Sequence, residues 1–462
     1  MSLCHDTNVK EAIVNERSYL KSLAAKDASL LFPPPSYDAH ARQILLQRAF
    51  AQQALRQETA RVLLLEGIHE RAVELLTHAG YTRLSQMRQA LDEGGLREKL
   101  SDVAVVGVRS RTQIRAQSLV HAKQLLAIGC FSVGTNQVDL DAARNLGIPV
   151  FNAPFANTRS VAELVIGEIV MLVRQIFPRS AAAHNGEWRK GAAGSREIRG
   201  KTLGIVGYGS IGAQLSQLAE AMGMHAIYFD IVEKLSYGNA AAAGSLSELL
   251  ERSDIVSLHV PETSQTHCMI GRAELAMMRE GSYLINNSRG TVVDVEALAE
   301  SLRNGHLAGA AIDVFPVEPS SNSDAFLSPL RGLDNVILTP HIGGSTEEAQ
   351  ERIGEEVAKK LINFIRCGST VGAVNFPQLQ VPDCRSSTRI IYVNCGNRLA
   401  SRSVHDVLAR HTVDVDSQHF GRDGEVEYIV TDVSKSAAKS GAILEEMRAI
   451  EGTVKVRLAF CP

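Results

Sequence analysis

The sequence predicts an α/β protein built on parallel sheets, with a smaller βαββαβ unit at its C-terminal end. Three observations carry this. Lys201–Asp230 holds a strand, a Gly-rich turn, a helix and a second strand in immediate succession. On both sides of it, short apolar runs rich in β-branched residues alternate with runs of helical spacing. After Pro377 the composition shifts, and strand, helix, strand, strand, helix, strand follow in turn.

The central stretch explains itself physically. Thr202-Leu-Gly-Ile-Val reads as a buried strand, and Gly207-Tyr-Gly209-Ser210-Ile211-Gly212 follows at once. Gly207 permits the tight turn, Gly209 lets the backbone approach a pyrophosphate, and Gly212 lets the helix pack close to the strand. Free N–H groups at the helix start, with the positive dipole end, attract phosphate. The second strand, His225–Phe229, ends in Asp230, whose carboxylate can accept ribose hydroxyls and repels a 2′-phosphate. The expected cofactor is therefore NAD rather than NADP.

A chain of 462 residues should form about three domains. A net charge of −3 gives no electrostatic case for nucleic acid or an anionic membrane. The seven cysteines are scattered without a CxxC pair, which argues against a zinc site or disulfide framework and fits a reducing compartment. The N-terminus lacks a basic-then-apolar signal pattern. The longest apolar run, Leu164–Val173, contains Glu168 and is too short to span a bilayer. A cytoplasmic location is expected.

Residues 1–58 read as a helical extension broken by Phe32-Pro-Pro-Pro-Ser. From Arg61, a strand, a helix over His69–Ala79, a helix over Gly95–Leu100 and the strand Val103–Val108 form an α/β unit. That last strand ends in Arg109-Ser110-Arg111. Two guanidinium forks flanking a hydroxyl suit phosphate or carboxylate, and solvated surface charge is the plain alternative. The strand end favours a ligand role. Asn152–Glu163 is a hinge candidate, with Ser160 and Glu163 expected as a capping box for a helix over Leu164–Phe177.

Beyond Asp230, each strand finishes in polar residues. Tyr283–Asn286 leads to Asn287-Ser288-Arg289, Ala308–Asp313 leads to Glu318, and Val336–Leu338 leads to His341, Gly343 and Gly344. Ligands in an open parallel sheet sit at the carboxyl ends of the strands, so Arg289, Glu318 and His341 are aimed at the cofactor crevice. Singly they could be a surface pair, a loop carboxylate and a core imidazole; together on one rim they read as a reaction centre.

Here the sequence resembles the D-isomer-specific 2-hydroxyacid dehydrogenases. Ile128–Asp139, Asn152–Glu163, Ile285–Asp294, Ala311–Pro319 and Leu338–Thr346 carry the resemblance, which runs from about Leu63 to about Pro377. It implies that Arg289, Glu318 and His341 are catalytic. Along the NAD site it implies Ser210, Ile211, Asp230, Asn287, Ser288, Arg289, Asp313 and the His341–Gly344 loop. Arg109, Ser110, Arg111 and Asn157 are implied as substrate contacts. Arg88 stands where similar enzymes can carry a Lys, and keeps its charge with a different reach. The implied architecture is a Rossmann-type cofactor domain (157–343) inserted in a flavodoxin-like substrate domain (59–156 and 344–380), hinged across two crossings. The implied activity is oxidation of 3-phosphoglycerate to 3-phosphohydroxypyruvate with NAD⁺, the first step of phosphorylated serine biosynthesis, by a homo-oligomer (dimer or tetramer) without a metal. Other 2-hydroxyacid dehydrogenases (glycerate, hydroxypyruvate or 2-oxoglutarate) and NAD-sensing corepressor-like proteins share the pattern. Residues 388–462 predict a ferredoxin-like fold, with strands at Arg389–Val393, Thr412–Val415, Val426–Asp432 and Thr453–Leu458 and helices at Arg402–Arg410 and Ala438–Ile450. This part resembles ACT regulatory domains, but Cys395, Leu399, Ala400 and Asp414 replace the His, Pro, Gly and Asn of serine-regulated relatives. Weak or absent serine inhibition is the expectation.

Overall fold

A computed structural model of the protein describes residues 60–319, 324–383, 388–434 and 441–460. The expected N-terminal extension, the start of the helix expected from Ala438 and Cys461-Pro462 lie outside these residues.

The first sheet contains β1 (Arg61–Leu64), β2 (Arg83–Gln86), β3 (Val105–Val108), β4 (Ala127–Cys130) and β5 (Val150–Phe151). All pairs are parallel, in the order β2-β1-β3-β4-β5, which is the flavodoxin-like order. β3 and β4 are buried at every residue, as strands covered on both faces must be. Helices Glu70–His78 and Glu347–Cys367 cover one face, with Leu76, Val357 and Leu361 packed on Leu64 and Phe151. Leu96, Leu119 and Ala143 cover the other. β2 was not legible as a strand: it is a polar edge, with Arg83, Ser85 and Gln86 exposed.

The second sheet is also wholly parallel. It holds β6 (Thr202–Val206), β7 (His225–Phe229), β8 (Ala241–Ala242), β9 (Ile255–Leu258), β10 (Ser282–Asn286), β11 (Leu307–Ile312) and β12 (Val336–Leu338). Its order, β12-β11-β10-β9-β6-β7-β8, reverses direction at β6 and β9 and opens a crevice at their carboxyl ends. Helix Thr158–Val173 belongs to this unit, since Val161, Val165 and Ile169 pack with Leu203, Ile205 and Leu215. The chain therefore passes from the first sheet to the second near Asn157 and returns before Glu347. A hydroxyl pair, Ser160 Oγ to Thr346 Oγ1 at 2.8 Å, ties the two passages together.

That pair corrects the expected capping box. Ser160 lies inside the helix, which starts at Thr158 with Asn157 as an N-cap that makes no side-chain bond. Glu163 pairs with Arg159 instead. The helix ends at Val173, and Gln175, at φ 54°, separates it from helix Ile176–His184.

The C-terminal sheet is antiparallel, with β13 (Thr388–Cys395), β14 (Val415–Asp423), β15 (Val426–Val433) and β16 (Thr453–Phe460) in the order β14-β15-β13-β16. With helices Ala400–Arg410 and Gly441–Ala449 on one face this is the ferredoxin-like arrangement. The strand expected at Thr412–Val415 begins only at Val415, because Thr412 turns the chain at φ 54°. β14 is an edge strand of alternating exposure, and its polar sequence hides it from a hydrophobic pattern.

The sheet's second face sits on helix Glu347–Cys367, with Ile391, Tyr428 and Val430 in one core with Phe364 and Ile365. Two buried arginines complete this seat. Arg389 makes a bidentate pair with Asp432 (2.7 and 2.8 Å) and donates to the Cys367 carbonyl at 2.8 Å. Arg457 donates to the Phe364 and Ile365 carbonyls at 2.8 and 3.2 Å. Both thus donate to carbonyls of the helix's last turn, of which that of Phe364 also accepts the Gly368 N–H at 2.8 Å. Removing Arg389 leaves Asp432 as an uncompensated buried charge. Arg389→Ala should destabilise the C-terminal unit by about 3–5 kcal/mol, read as a lowered calorimetric transition; an unchanged transition would contradict the seat described here.

Candidate active site

The Gly-rich turn at the end of β6 has the shape its sequence requires. Gly207 takes φ 92°, and a Cβ there would lie 2.4 Å from the His259 carbonyl oxygen. A Cβ on Gly212 would lie 2.4 Å from the Gly207 carbonyl oxygen, so this glycine sets how closely helix Ser210–Ala221 approaches the strand. A Cβ built on Gly209 would meet nothing within 4 Å, so this side of the backbone is open, as the approach of a pyrophosphate needs. Ser210 is exposed and Ile211 half-buried at the helix start. Asp230, at the end of β7, accepts the Tyr208 N–H at 2.8 Å and the Val232 N–H at 2.9 Å, fixing the turn to the neighbouring strand. Turn, helix start and acid together fit a dinucleotide.

Three strand ends meet beside this turn. His341 follows β12 in the left-handed region, at φ 54°, a strained conformation for a non-glycine residue. Its Nδ1 lies 3.0 and 2.9 Å from the two oxygens of Glu318. A carboxylate accepts only, so Nδ1 carries the proton and Nε2 is left free as a base. The bond to Glu318 raises the His341 pKa, against the opposing effect of burial. Burial alone would raise Glu318, but the bond and charge of His341, the Phe315 N–H and Arg289 outweigh it and hold its pKa below the usual value.

Asp313, expected along the cofactor crevice, is buried beneath the loop. It accepts the Thr339 hydroxyl at 2.6 Å and the Ile342 and Gly343 N–H groups at 2.8 Å each. Its position explains the His341–Gly344 conformation: one carboxylate grips both sides of the loop. The side chains of Asn287 and Ser288 also turn inward. Asn287 donates to Glu168 at 2.9 Å and Ser288 to Asn286 at 2.8 Å. Glu168, the one acid in the longest apolar run, has its pKa pushed up to about 8 chiefly by burial.

Arg289 reaches from the second sheet toward the first. Its Nη1 donates to the Ser288 carbonyl at 2.6 Å, and its Nη2 lies 3.0 Å from where a Cβ on Gly134 would sit. Asn136, on the same loop as Gly134, donates to Glu262 across the cleft at 3.0 Å. Asn157 stands where the chain passes between the sheets, with Nδ2 against Gly344 and a buried Oδ1 without a protein partner.

Arg109, Ser110 and Arg111 follow β3. Arg109 is half-buried; Ser110 and Arg111 are exposed. The Gln137 side chain donates to the Arg109 carbonyl. Arg88 is exposed on the neighbouring arm and lines a cavity with Gly67, His69, Arg71, Gln86 and Glu351. Between the two arms lies Glu66, a buried acid that the sequence reading passed over. It immediately follows the apolar run of β1, at a strand end where functional groups collect.

Parallel sheets joined through a hinge, a dinucleotide turn and an Arg–Glu–His set define a nicotinamide-dependent dehydrogenase of 2-hydroxy acids, and the chain belongs to the D-isomer-specific 2-hydroxyacid dehydrogenase family of NAD-dependent oxidoreductases. The family model for its NAD-binding domain matches residues 166–343. The chain is similar to D-3-phosphoglycerate dehydrogenase of Escherichia coli K12, 49% identical over 410 residues, covering 89% of this chain and 100% of that protein. It is 46% identical over 400 residues to D-3-phosphoglycerate dehydrogenase of Dictyostelium discoideum, with 87% and 97% covered. Among solved structures, D-lactate dehydrogenase from Aquifex aeolicus, complexed with NAD and lactic acid, superposes with a TM-score of 0.60 at 28% identity, covering 69% of this chain and 100% of that one. No helix among the described residues is long and apolar enough to cross a membrane.

A base must be neutral to accept a proton, and the raised pKa of His341 delays that. The rate of alcohol oxidation should therefore climb with pH through a midpoint above the ordinary histidine value of about 6.5. Glu318→Gln removes the raising interaction, so the midpoint should move down in pH while turnover falls; a midpoint unmoved in the variant would separate His341 from the pH profile. His341→Ala should lower turnover by about 10²–10⁴-fold with NADH binding retained.

Proposed function

We propose that the chain oxidises 3-phosphoglycerate to 3-phosphohydroxypyruvate, opening a phosphorylated route to serine. What supports this is an Arg289–Glu318–His341 centre accompanied by further cations, Arg109 and Arg111 after β3 and Arg88 on the loop bonded to Glu66-Gly67. One arginine suffices for the carboxylate of a simple 2-hydroxy acid. The additional forks suit a phosphate at the far end of the substrate. The names of the relatives support the same reading.

Bound NAD⁺ supplies the hydride acceptor. Gly207–Gly212 would hold its pyrophosphate, Asp230 its ribose, and Ser210, Ile211, Asn287, Ser288, Asp313, Gly343 and Gly344 shape the rest of its crevice. His341 Nε2 takes the proton of the C2 hydroxyl as the C2 hydrogen leaves with its electron pair, so the C–O bond becomes a carbonyl. Glu318 holds the imidazole and stabilises its charged form. Arg289 binds the carboxylate and polarises the developing carbonyl. Arg109, Ser110 and Arg111 bind the phosphate with Arg88 at the rim, and Asn157 contacts the substrate at the hinge. Closure of residues 157–343 against 59–156 and 344–380 would exclude water.

Loss of NADH absorbance with 3-phosphohydroxypyruvate, hydroxypyruvate and 2-oxoglutarate tests the reading. The phosphorylated acid should be reduced most efficiently. Preference for an unphosphorylated acid would overturn the substrate, and binding of NADH without turnover would point to a sensing protein. Arg109→Ala should raise KM for the phosphorylated acid about tenfold or more, since a charged hydrogen bond is worth about 1.5–3 kcal/mol. Its slow reaction with unphosphorylated substrate should change little.

We assign the protein to the cytoplasm as a homo-oligomer, and residues 388–462 to an ACT-like regulatory role with an altered ligand site. Cys395 offers a weak thiol where an imidazole would bind a carboxylate. Leu399 and Ala400 replace a turn open to close approach, and Asp414 repels a carboxylate. Two lost bonds of about 1.5 kcal/mol each weaken serine about a hundredfold. Titration of serine against initial rate should give weak or no inhibition; half-inhibition in the low micromolar range would contradict the assignment.

A further inference from the structure

We propose that Glu66 is a positioning residue for the phosphate: its buried carboxylate fixes the Arg109–Arg111 loop, its backbone ties that loop to the Arg88 arm, and the carboxylate so sets KM for the phosphorylated substrate without touching it. The inference rests on the phosphate reading of Arg109 and Arg111.

Glu66 is 4% exposed, and an acid this buried needs partners. It has three in succession. The N–H groups of Ser110, Arg111 and Thr112 donate to it at 3.1, 3.0 and 2.8 Å. Successive N–H groups turned to one point make an anion-binding nest. Here the nest is filled by the protein's own carboxylate. The loop's backbone donors are thus engaged inward, and binding of an external anion falls to the side chains of Arg109, Ser110 and Arg111. Arg111 Nε, 3.9 Å from the Glu66 carboxylate, retains an exposed side chain.

The same residue holds the second arm through its backbone. The Glu66 N–H donates to the Gln89 carbonyl at 3.3 Å, and the Gly67 N–H donates to the Met87 carbonyl at 3.0 Å. The residues on either side of Arg88 therefore hang on Glu66-Gly67. A cross-tie closes the arrangement, the Leu91 N–H donating to Thr112 Oγ1 at 3.2 Å. Glu66 itself sits in the left-handed region at φ 62°, strain that the surrounding bonds maintain. Burial favours its neutral form, but the three N–H bonds and a side-chain bond from Thr112 outweigh it, so the group stays ionised at neutral pH.

Charge and geometry make opposite forecasts, which allows a clean test. If Glu66 only offset the arginine charge, its neutralisation would strengthen anion binding. If it positions the loop, Glu66→Gln places an NH₂ group against donors and weakens it. Steady-state reduction of 3-phosphohydroxypyruvate by the full-length enzyme reads this, with NADH affinity by fluorescence and the unfolding temperature alongside. Glu66→Gln should raise KM about tenfold or more, with kcat within about threefold and NADH affinity unchanged. Glu66→Asp, which keeps the charge on a shorter stem, should raise KM by a smaller factor, and it carries the test if the Gln variant does not fold. An unchanged or lowered KM in the folded variant overturns the proposal, as does a parallel loss of kcat and NADH binding. The wild-type preference for phosphohydroxypyruvate over hydroxypyruvate tests the substrate reading separately. If the wild type shows no such preference, that reading fails and the phosphate role of Glu66 with it; a wild-type preference with an unshifted KM in Glu66→Gln overturns the role of Glu66 alone.

Discussion

The site depends on carboxylates that accept backbone N–H groups at strand ends. Asp313 is the chief of these. Loops at the carboxyl ends of parallel strands carry the chemistry, but they leave the sheet's hydrogen-bond ladder and need another source of order. Asp313 supplies it by taking two N–H groups and a hydroxyl from the loop that bears His341. The strained His341 backbone is held this way, and with it the line from Glu318 through Nδ1 to a free Nε2. Asp230 treats the Gly-rich turn similarly, and Glu66 does so for the arginine loop. Asp313 and Glu66 are buried and Asp230 half-buried; buried acids are costly unless satisfied, and each of the three accepts peptide donors, so its charge is converted into loop geometry.

The domain arrangement adds a second constraint. The sheets meet along a cleft crossed by Arg289 and by the Asn136–Glu262 contact, and the chain crosses twice between them, the passages tied by Ser160 and Thr346. A reaction that needs hydride transfer without water gains from such a cleft. The C-terminal sheet does not flank it. It seats on the far end of helix Glu347–Cys367, whose carbonyls Arg389 and Arg457 complete.

Much of this was legible in the sequence where the signal is local. The Gly207–Gly212 turn, the acid at the end of β7 and the polar endings of β10, β11 and β12 follow from backbone rules that neighbouring residues fix. What was not legible depends on tertiary context. Ser160 and Glu163 have the spacing of a capping box, yet Thr346 and Arg159 take their side chains. β2 and β14 are edge strands whose polar residues erase the hydrophobic period. Asp313, Asn287 and Ser288 lie at the right strand ends, but only the fold reveals that their side chains turn inward. Glu66 reads as an ordinary acid after a strand until Ser110, Arg111 and Thr112 are brought to it.

In the function proposed here, two separately anchored loops divide the substrate between them, reaction centre on one side and phosphate on the other. The crystal structure of the enzyme with NADH and 3-phosphohydroxypyruvate tests this most directly. His341 Nε2 should lie within about 2.6–3.2 Å of the C2 oxygen, Arg289 on the carboxylate, and the phosphate on Arg109 and Arg111. A phosphate held by Arg289, or a C2 oxygen out of reach of Nε2, would contradict it.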